Sequence, residues 1–212
     1  MNQWERDLEQ DLNWREAEIA TLKVLVTESP RGSTRERALL RALWALLYAH
    51  YEGFCKFAWD TYLDHLQASS TMRGECTDNI ARFSLSASFR SLRGNLSVDS
   101  LWEYCTKEFR NAMSQPIEFE DRLETDSNLW PNICRENCLA IDLPLPSVDL
   151  HRAKIKALVS RRNDIAHGQP MTIETLDEYK KYEHAVFDVM YELALAVDAG
   201  LADRKYLRQS PN

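Results

Sequence analysis

At 212 residues and 44% hydrophobic content, the chain has enough apolar material for a substantial core, which excludes an intrinsically disordered segment. Its formal charge of -7 argues against a generic basic nucleic-acid binder, while leaving room for a local basic patch that holds phosphate. Six glycines, seven prolines and long stretches of helical apolar period leave little for strands or hairpins, so the expected fold is all-α.

The spacing of Trp4, Leu8, Leu12 and Ile19 predicts an opening helix over about Asn2 to Val26, closed by Ser29-Pro30-Arg31-Gly32. Its start, Asn2-Gln3-Trp4-Glu5-Arg6-Asp7, has no apolar signal region. The longest apolar run, Ala42 to Ala49, is far short of the ~20 residues of a membrane span. A soluble cytoplasmic protein without membrane contact is therefore expected. Five scattered cysteines, Cys55, Cys76, Cys105, Cys134 and Cys138, suit a reducing compartment better than a disulfide framework.

Ser33-Thr34-Arg35-Glu36 has the form of a capping box and opens a second, long helix. Leu40, Leu43, Leu47, Tyr51, Phe54, Ala58 and Tyr62 form one stripe on it, with Trp44, Tyr48, Cys55 and Trp59 beside them. So wide an apolar face belongs at the centre of a bundle, with Trp44 and Trp59 as core residues.

Residues 69–143 are less regular, with polar breaks around Thr71 to Asn79 and Gln115 to Ser127. Shorter helices are expected over Leu85 to Leu92, Val98 to Met113 and Trp130 to Ala140, as an insertion or cap within one domain spanning residues 1–212. Leu143-Pro144-Leu145-Pro146 reads as an extended stop, and Ser147 as the N-cap of a helix from Val148 to His167. Gly168 and Pro170 end that helix, and a second capping box, Thr175-Leu176-Asp177-Glu178, opens a last one reaching Ala202.

The end of the penultimate helix is where chemistry concentrates. At 100° per residue, Leu150, Ile155, Val159, Ile165 and Ala166 cluster around the direction of Leu158, and Arg162 falls about 40° from it, inside the apolar face. A guanidinium there must find carboxylate, phosphate or carbonyl partners. Asn163 and His167, four apart, share another face about 100° away from Arg162. Convergence of the three would need a distorted helix end or a second subunit bringing its own copy alongside. The plain alternative is that Arg161, Arg162 and His167 complement the helix dipole, with Asp164 pairing with Arg161.

Arg162-Asn163-Asp164-Ile165-Ala166-His167 resembles the R-x4-6-H motif of the HEPN superfamily, all-α domains found in prokaryotic toxins and in RNA-processing and defence nucleases. Tyr48-Ala49-His50-Tyr51-Glu52-Gly53-Phe54-Cys55-Lys56 is similar to the early-helix string of the MAE-type, RiboL-PSP-linked branch. The resemblance implies a HEPN-like helical bundle with short helices inserted between the second long helix and the motif helix. It also implies metal-independent RNA cleavage by 2′-OH attack on the neighbouring phosphorus, leaving a 2′,3′-cyclic phosphate and a 5′-OH. His167 would move the proton. Arg162 would hold the scissile phosphate. Asn163 would orient the histidine or bind a phosphate oxygen.

Glu52 is expected to pair with Arg162 or Arg161, or to form an exposed i, i+4 pair with Lys56. Arg161, Lys154, Lys156 and Arg152 are the basic company an RNA path would have, the alternative being an ordinary solvated helix face. The partners implied are RNA, a second copy with the motifs at the seam, and an antitoxin or other regulatory protein. No cofactor is implied. Cys134 and Cys138 share a face without a further Cys or His pair in sequence to complete a zinc site. Two other functions stay open: a non-catalytic HEPN module binding RNA, a nucleotide or a protein, and a helical structural protein whose arginines only cap a helix.

Overall fold

The computed structural model describes residues 2–92, 97–170 and 175–209. Ten α-helices are seen among them: α1 (Gln3–Thr27), α2 (Thr34–Ala68), α3 (Asp78–Ser84), α4 (Ser86–Leu92), α5 (Val98–Glu103), α6 (Phe109–Met113), α7 (Pro131–Ala140), α8 (Pro146–Leu150), α9 (Arg152–Ala166) and α10 (Leu176–Ala202). A π-helical turn, Tyr104–Glu108, joins α5 to α6, so the element expected over Val98 to Met113 runs through with one wide turn. Two isolated bridges, Met72 with Pro116 and Cys76 with Leu207, are the extended pairings among the described residues.

At 1.5 Å per residue α2 is about 52 Å long, and it packs against α1, α9 and α10. Leu43, Trp44, Leu47, Tyr51, Phe54, Ala58, Trp59 and Tyr62 are buried around it. This helix is central because its apolar residues occupy more than one stripe, and only neighbours on several sides can take them out of water. At its start Ser33 Oγ accepts from the Glu36 N–H at 3.1 Å, while the Glu36 carboxylate takes the Gly32 N–H at 2.5 Å. The cap thus reaches one residue further back than a capping box. Among the described residues no helix is long and apolar enough to cross a membrane, and all five cysteines are free thiols.

Residues 69–143 contribute Cys76, Ile80, Ile117, Phe119, Leu129, Cys134, Cys138 and Ile141 to the same buried cluster as α2. Helix α3 begins inside a stretch that reads as a polar break. Thr77 Oγ1 accepts from the Ile80 N–H, and that cap starts the helix where composition alone shows polar residues.

The penultimate helix is not continuous from Val148 to His167. It breaks at His151, which ends α8 and precedes α9. Nor is Ser147 the N-cap. Pro146 already occupies the first helical position, which its fixed φ and missing N–H suit, and the Ser147 N–H is bound by the Glu192 carboxylate of α10 at 2.8 Å. The break carries Leu150 out of the apolar face of α9, so that it is 78% exposed. Ala166 is exposed as well. At α10, Thr175 Oγ1 accepts from the Glu178 N–H at 3.1 Å, but the Glu178 carboxylate leaves the box to pair with Arg161 at 2.6 Å.

Candidate functional site

α9 ends on a left-handed turn. Gly168 has φ +71°, a conformation glycine adopts without steric cost. The N–H groups of His167, Gly168 and Gln169 donate to the carbonyls of Asn163, Ile165 and Asp164. Arg41 of α2 reaches over to the Gln169 carbonyl at 2.9 Å, tying the chain after the motif to the central helix.

Arg162 is directed at α2. Its side chain is 22% exposed, and its Cζ lies 3.8 Å from the centroid of the Tyr48 ring, close enough for a strong cation–π contact. Nη2 stands 4.0 Å from Glu52 Oε2, and Nε is buried without a hydrogen-bond partner among the described residues. Glu52 Oε1 accepts from the Thr125 hydroxyl at 2.6 Å and lies 3.9 Å from Lys56 Nζ. The Tyr48 hydroxyl accepts from the Leu129 N–H at 2.9 Å. Burial holds the Tyr48 phenol above its ordinary pKa, so it is neutral across the physiological range.

Both pairings offered for Glu52 thus resolve onto one carboxylate, with Arg162 on one oxygen and Lys56 on the other. Arg161 is elsewhere. It pairs with Glu178 of α10 and lies 4.9 Å from the Trp44 ring centroid and 5.4 Å from that of Tyr182. The expected Asp164 pair is replaced by this longer-range one, because α10 brings a carboxylate to hydrogen-bonding distance. Neither arginine is spent on the last carbonyls of its helix: Arg161 braces α9 against α10, and Arg162 faces α2.

Asn163 is half-buried and His167 exposed. Among the described residues the side chains of both are without a hydrogen bond or ion pair. Within one chain, therefore, Arg162 and Glu52 are brought together, while His167 stands at the solvent end of the helix. Lys154 is half-buried, Lys156 exposed, and exposed Arg152 lies 3.8 Å from Asp149. Pattern reading missed Thr125 and Leu129. Each is more than seventy residues from the α2 side chain it contacts, and no local signal marks either.

Gly53 serves neighbours on the opposite side of α2. A Cβ there would stand 3.1 Å from Arg15 Nη1, so what the missing side chain admits is a guanidinium of α1 and not a second backbone. Cys134 and Cys138 face inward and are joined by Cys55 of α2, all three buried. Among the described residues no group of three or more Cys, His, Asp or Glu could hold a metal ion.

An all-α protein with a half-buried arginine between its central helix and the end of a later one is the class these features define. The model of the MAE_28990-like HEPN family matches residues 4–206, and the chain belongs to that family. Comparisons with curated proteins and with solved structures found no match.

Proposed function

We propose that this HEPN protein is an endoribonuclease that cleaves RNA without a metal ion, acting as a toxin or antiviral defence effector. The 2′-OH attacks the adjacent phosphorus, the bond to the 5′-oxygen breaks, and the products carry a 2′,3′-cyclic phosphate and a 5′-OH. Arg162 meets the charge that grows on the phosphoryl oxygens, since a planar fork suits two of them at once. His167 moves the proton, taking it from the 2′-OH or giving it to the departing 5′-oxygen. Asn163 binds or orients beside it. Arg161, Glu52 and Lys56 support the site, with Arg161 bracing the helix that carries it.

The observation that carries this reading is Arg162 itself. It lies against an aromatic ring with its nearest carboxylate 4.0 Å away, a separation beyond hydrogen-bonding range that leaves its fork available to an anion. Arg162 faces α2 while His167 faces solvent, which supports a composite site: a homodimer with one copy's arginine beside the other's histidine. A regulatory or antitoxin protein would act by covering that seam.

The second reading is a non-catalytic module binding RNA, a nucleotide or a protein through the same residues. The His167 ring favours it, since among the described residues no partner fixes its tautomer as a third group does in catalytic triads. The two readings separate in one assay. Purified wild type should cleave RNA in EDTA and leave cyclic phosphate ends by end-mapping, while His167→Ala loses about 10²-fold or more in rate. Equal cleavage by wild type and His167→Ala sinks the nuclease reading. Binding without cleavage by the wild type supports the module.

A further inference from the structure

The loop that precedes α7 pays for its shape. Asp126 and Ser127 both sit in the left-handed region, at φ +47° and +68°, where a residue with a Cβ is strained. Two such residues in succession need compensation, and the loop's hydrogen bonds supply it. Asn128 N–H donates to the Thr125 carbonyl at 2.9 Å. The buried Thr125 hydroxyl donates to Glu52 Oε1, and Leu129 N–H donates to the Tyr48 hydroxyl. Both side chains gripped by the loop are the ones that surround Arg162.

The geometry points to Tyr48 and Thr125 as positioning residues for the Arg162 guanidinium, Tyr48 supplying the surface on which it lies and Thr125 restraining Glu52 from closing on it. This rests on the proposal that Arg162 meets substrate phosphate. Its physical basis is the split use of one carboxylate. Oε1 is held by Thr125 at 2.6 Å, and Oε2 stands 4.0 Å from Nη2. At that distance the pair still attracts, and more strongly for being partly withdrawn from water. It orients the arginine, yet no N–H is consumed by a hydrogen bond to the carboxylate. Released from Thr125, the Glu52 carboxylate is free to turn and form the two-bonded pair that arginine and carboxylate favour. It would then compete with phosphate for the same donors. Tyr48 competes less, because burial keeps its phenol neutral and it sets no charge against phosphate. Its own orientation is set by the Leu129 N–H.

The test uses Thr125→Val, which keeps the shape and removes the donor, with Thr125→Ser restoring it. RNA cleavage should fall about tenfold in kcat/KM for Thr125→Val, the scale of a lost hydrogen bond to a charged group, and should recover with Thr125→Ser. Glu52→Gln removes the competing charge together with its orienting pull, so it is the reference for the double variant: adding Thr125→Val to it should cost no further rate. A role of Thr125 in stability alone would cost the same factor in either background. In the ligand-free protein, the Arg162 Nε–Hε NMR resonance should be shifted by the Tyr48 ring, move in Thr125→Val and return in Thr125→Ser. Two results overturn the assignment: a Thr125→Val loss as large in the Glu52→Gln background as in the wild type, or an Arg162 resonance indifferent to Thr125→Val. If the resonance responds as expected and the wild type cleaves no RNA, the nuclease reading falls while the positioning of Arg162 stands.

Discussion

Two arginines flank the same nine-residue string of α2 and are treated in opposite ways. Arg15 of α1 approaches from the His50 and Gly53 side. Its side chain is 8% exposed, bonded through Nε to Asp11 at 2.6 Å, with Nη1 3.3 Å from His50 Nδ1 and 3.4 Å from the His50 carbonyl. Arg162 of α9 approaches from the Tyr48 and Glu52 side and finds an aromatic face, a carboxylate at 4.0 Å and, among the described residues, no hydrogen-bond partner for Nε. A guanidinium that exists for the fold is saturated, because an unpaired buried charge costs several kcal/mol. One left half-paired at partial exposure keeps its capacity for an incoming anion.

Exchanging the losses is the strongest test of this contrast. Arg15→Ala leaves Asp11 facing a hole and breaks a largely buried pair, so about 3 kcal/mol of stability and roughly 6–12 °C in Tm should be lost. Arg162→Ala should leave Tm within about 2 °C while cutting RNA cleavage by about 10²-fold or more, the scale of losing one preorganised donor to developing charge. Thermal melts and single-turnover cleavage measure both. Equal falls in Tm would erase the distinction.

Gly53 sharpens it from the other side. On an open helix Gly→Ala gains close to ~1 kcal/mol. Here the new methyl meets Arg15 Nη1 at 3.1 Å, and Arg15 is pinned by Asp11. Gly53→Ala should therefore gain nothing or lose stability in the wild type, yet gain in an Arg15→Ala background. A Tm that rises equally in both backgrounds would show that Arg15 does not set the need for glycine.

The smallest effect is a pH dependence confined to the Arg15 side. Burial, and then the Arg15 charge, hold His50 below its ordinary pKa, although Nε2 lies 3.0 Å from Glu18 without hydrogen-bonding geometry. The unfolded chain then binds more protons than the folded one below about pH 6.5, so stability falls as pH drops through that range, by at most ~1.4 kcal/mol per pH unit. Urea denaturation at pH 7.5 and 5.5 should show a smaller difference between the two pH values for His50→Gln than for wild type. Unchanged pH slopes would mean that His50 titrates freely.

The string Tyr48 to Lys56 shows what pattern could and could not reveal. Tyr51, Phe54 and Cys55 stand out as core from period alone, as do Trp44 and Trp59, because a helix's faces follow from sequence spacing. A charge on an apolar stripe marks Arg162 as needing a polar partner, while pattern leaves Glu52 open between Arg162, Arg161 and Lys56. That Gly53 answers to Arg15, and Glu52 to Thr125, depends on which helix or loop lies alongside, and spacing within one helix carries no such information. The break at His151 was hidden for a similar reason. It depends on Pro146 starting a helix early and on Glu192 of α10 taking the Ser147 N–H, and the second of these is a long-range contact.

By itself, then, the sequence determined the all-α class, the centrality of α2 and the turn at Gly168, each of which follows from short-range backbone preference or helical period, which local residues control. The pairing of an arginine-histidine motif with a Glu-Gly-Phe string was legible only as a resemblance to a family. Tertiary structure alone decided the state of the two arginines. Whether a guanidinium is saturated or left half-paired depends on groups delivered from tens of residues away as well as on local ones such as Asp11, and His50, Thr125 and Leu129 are those deliveries.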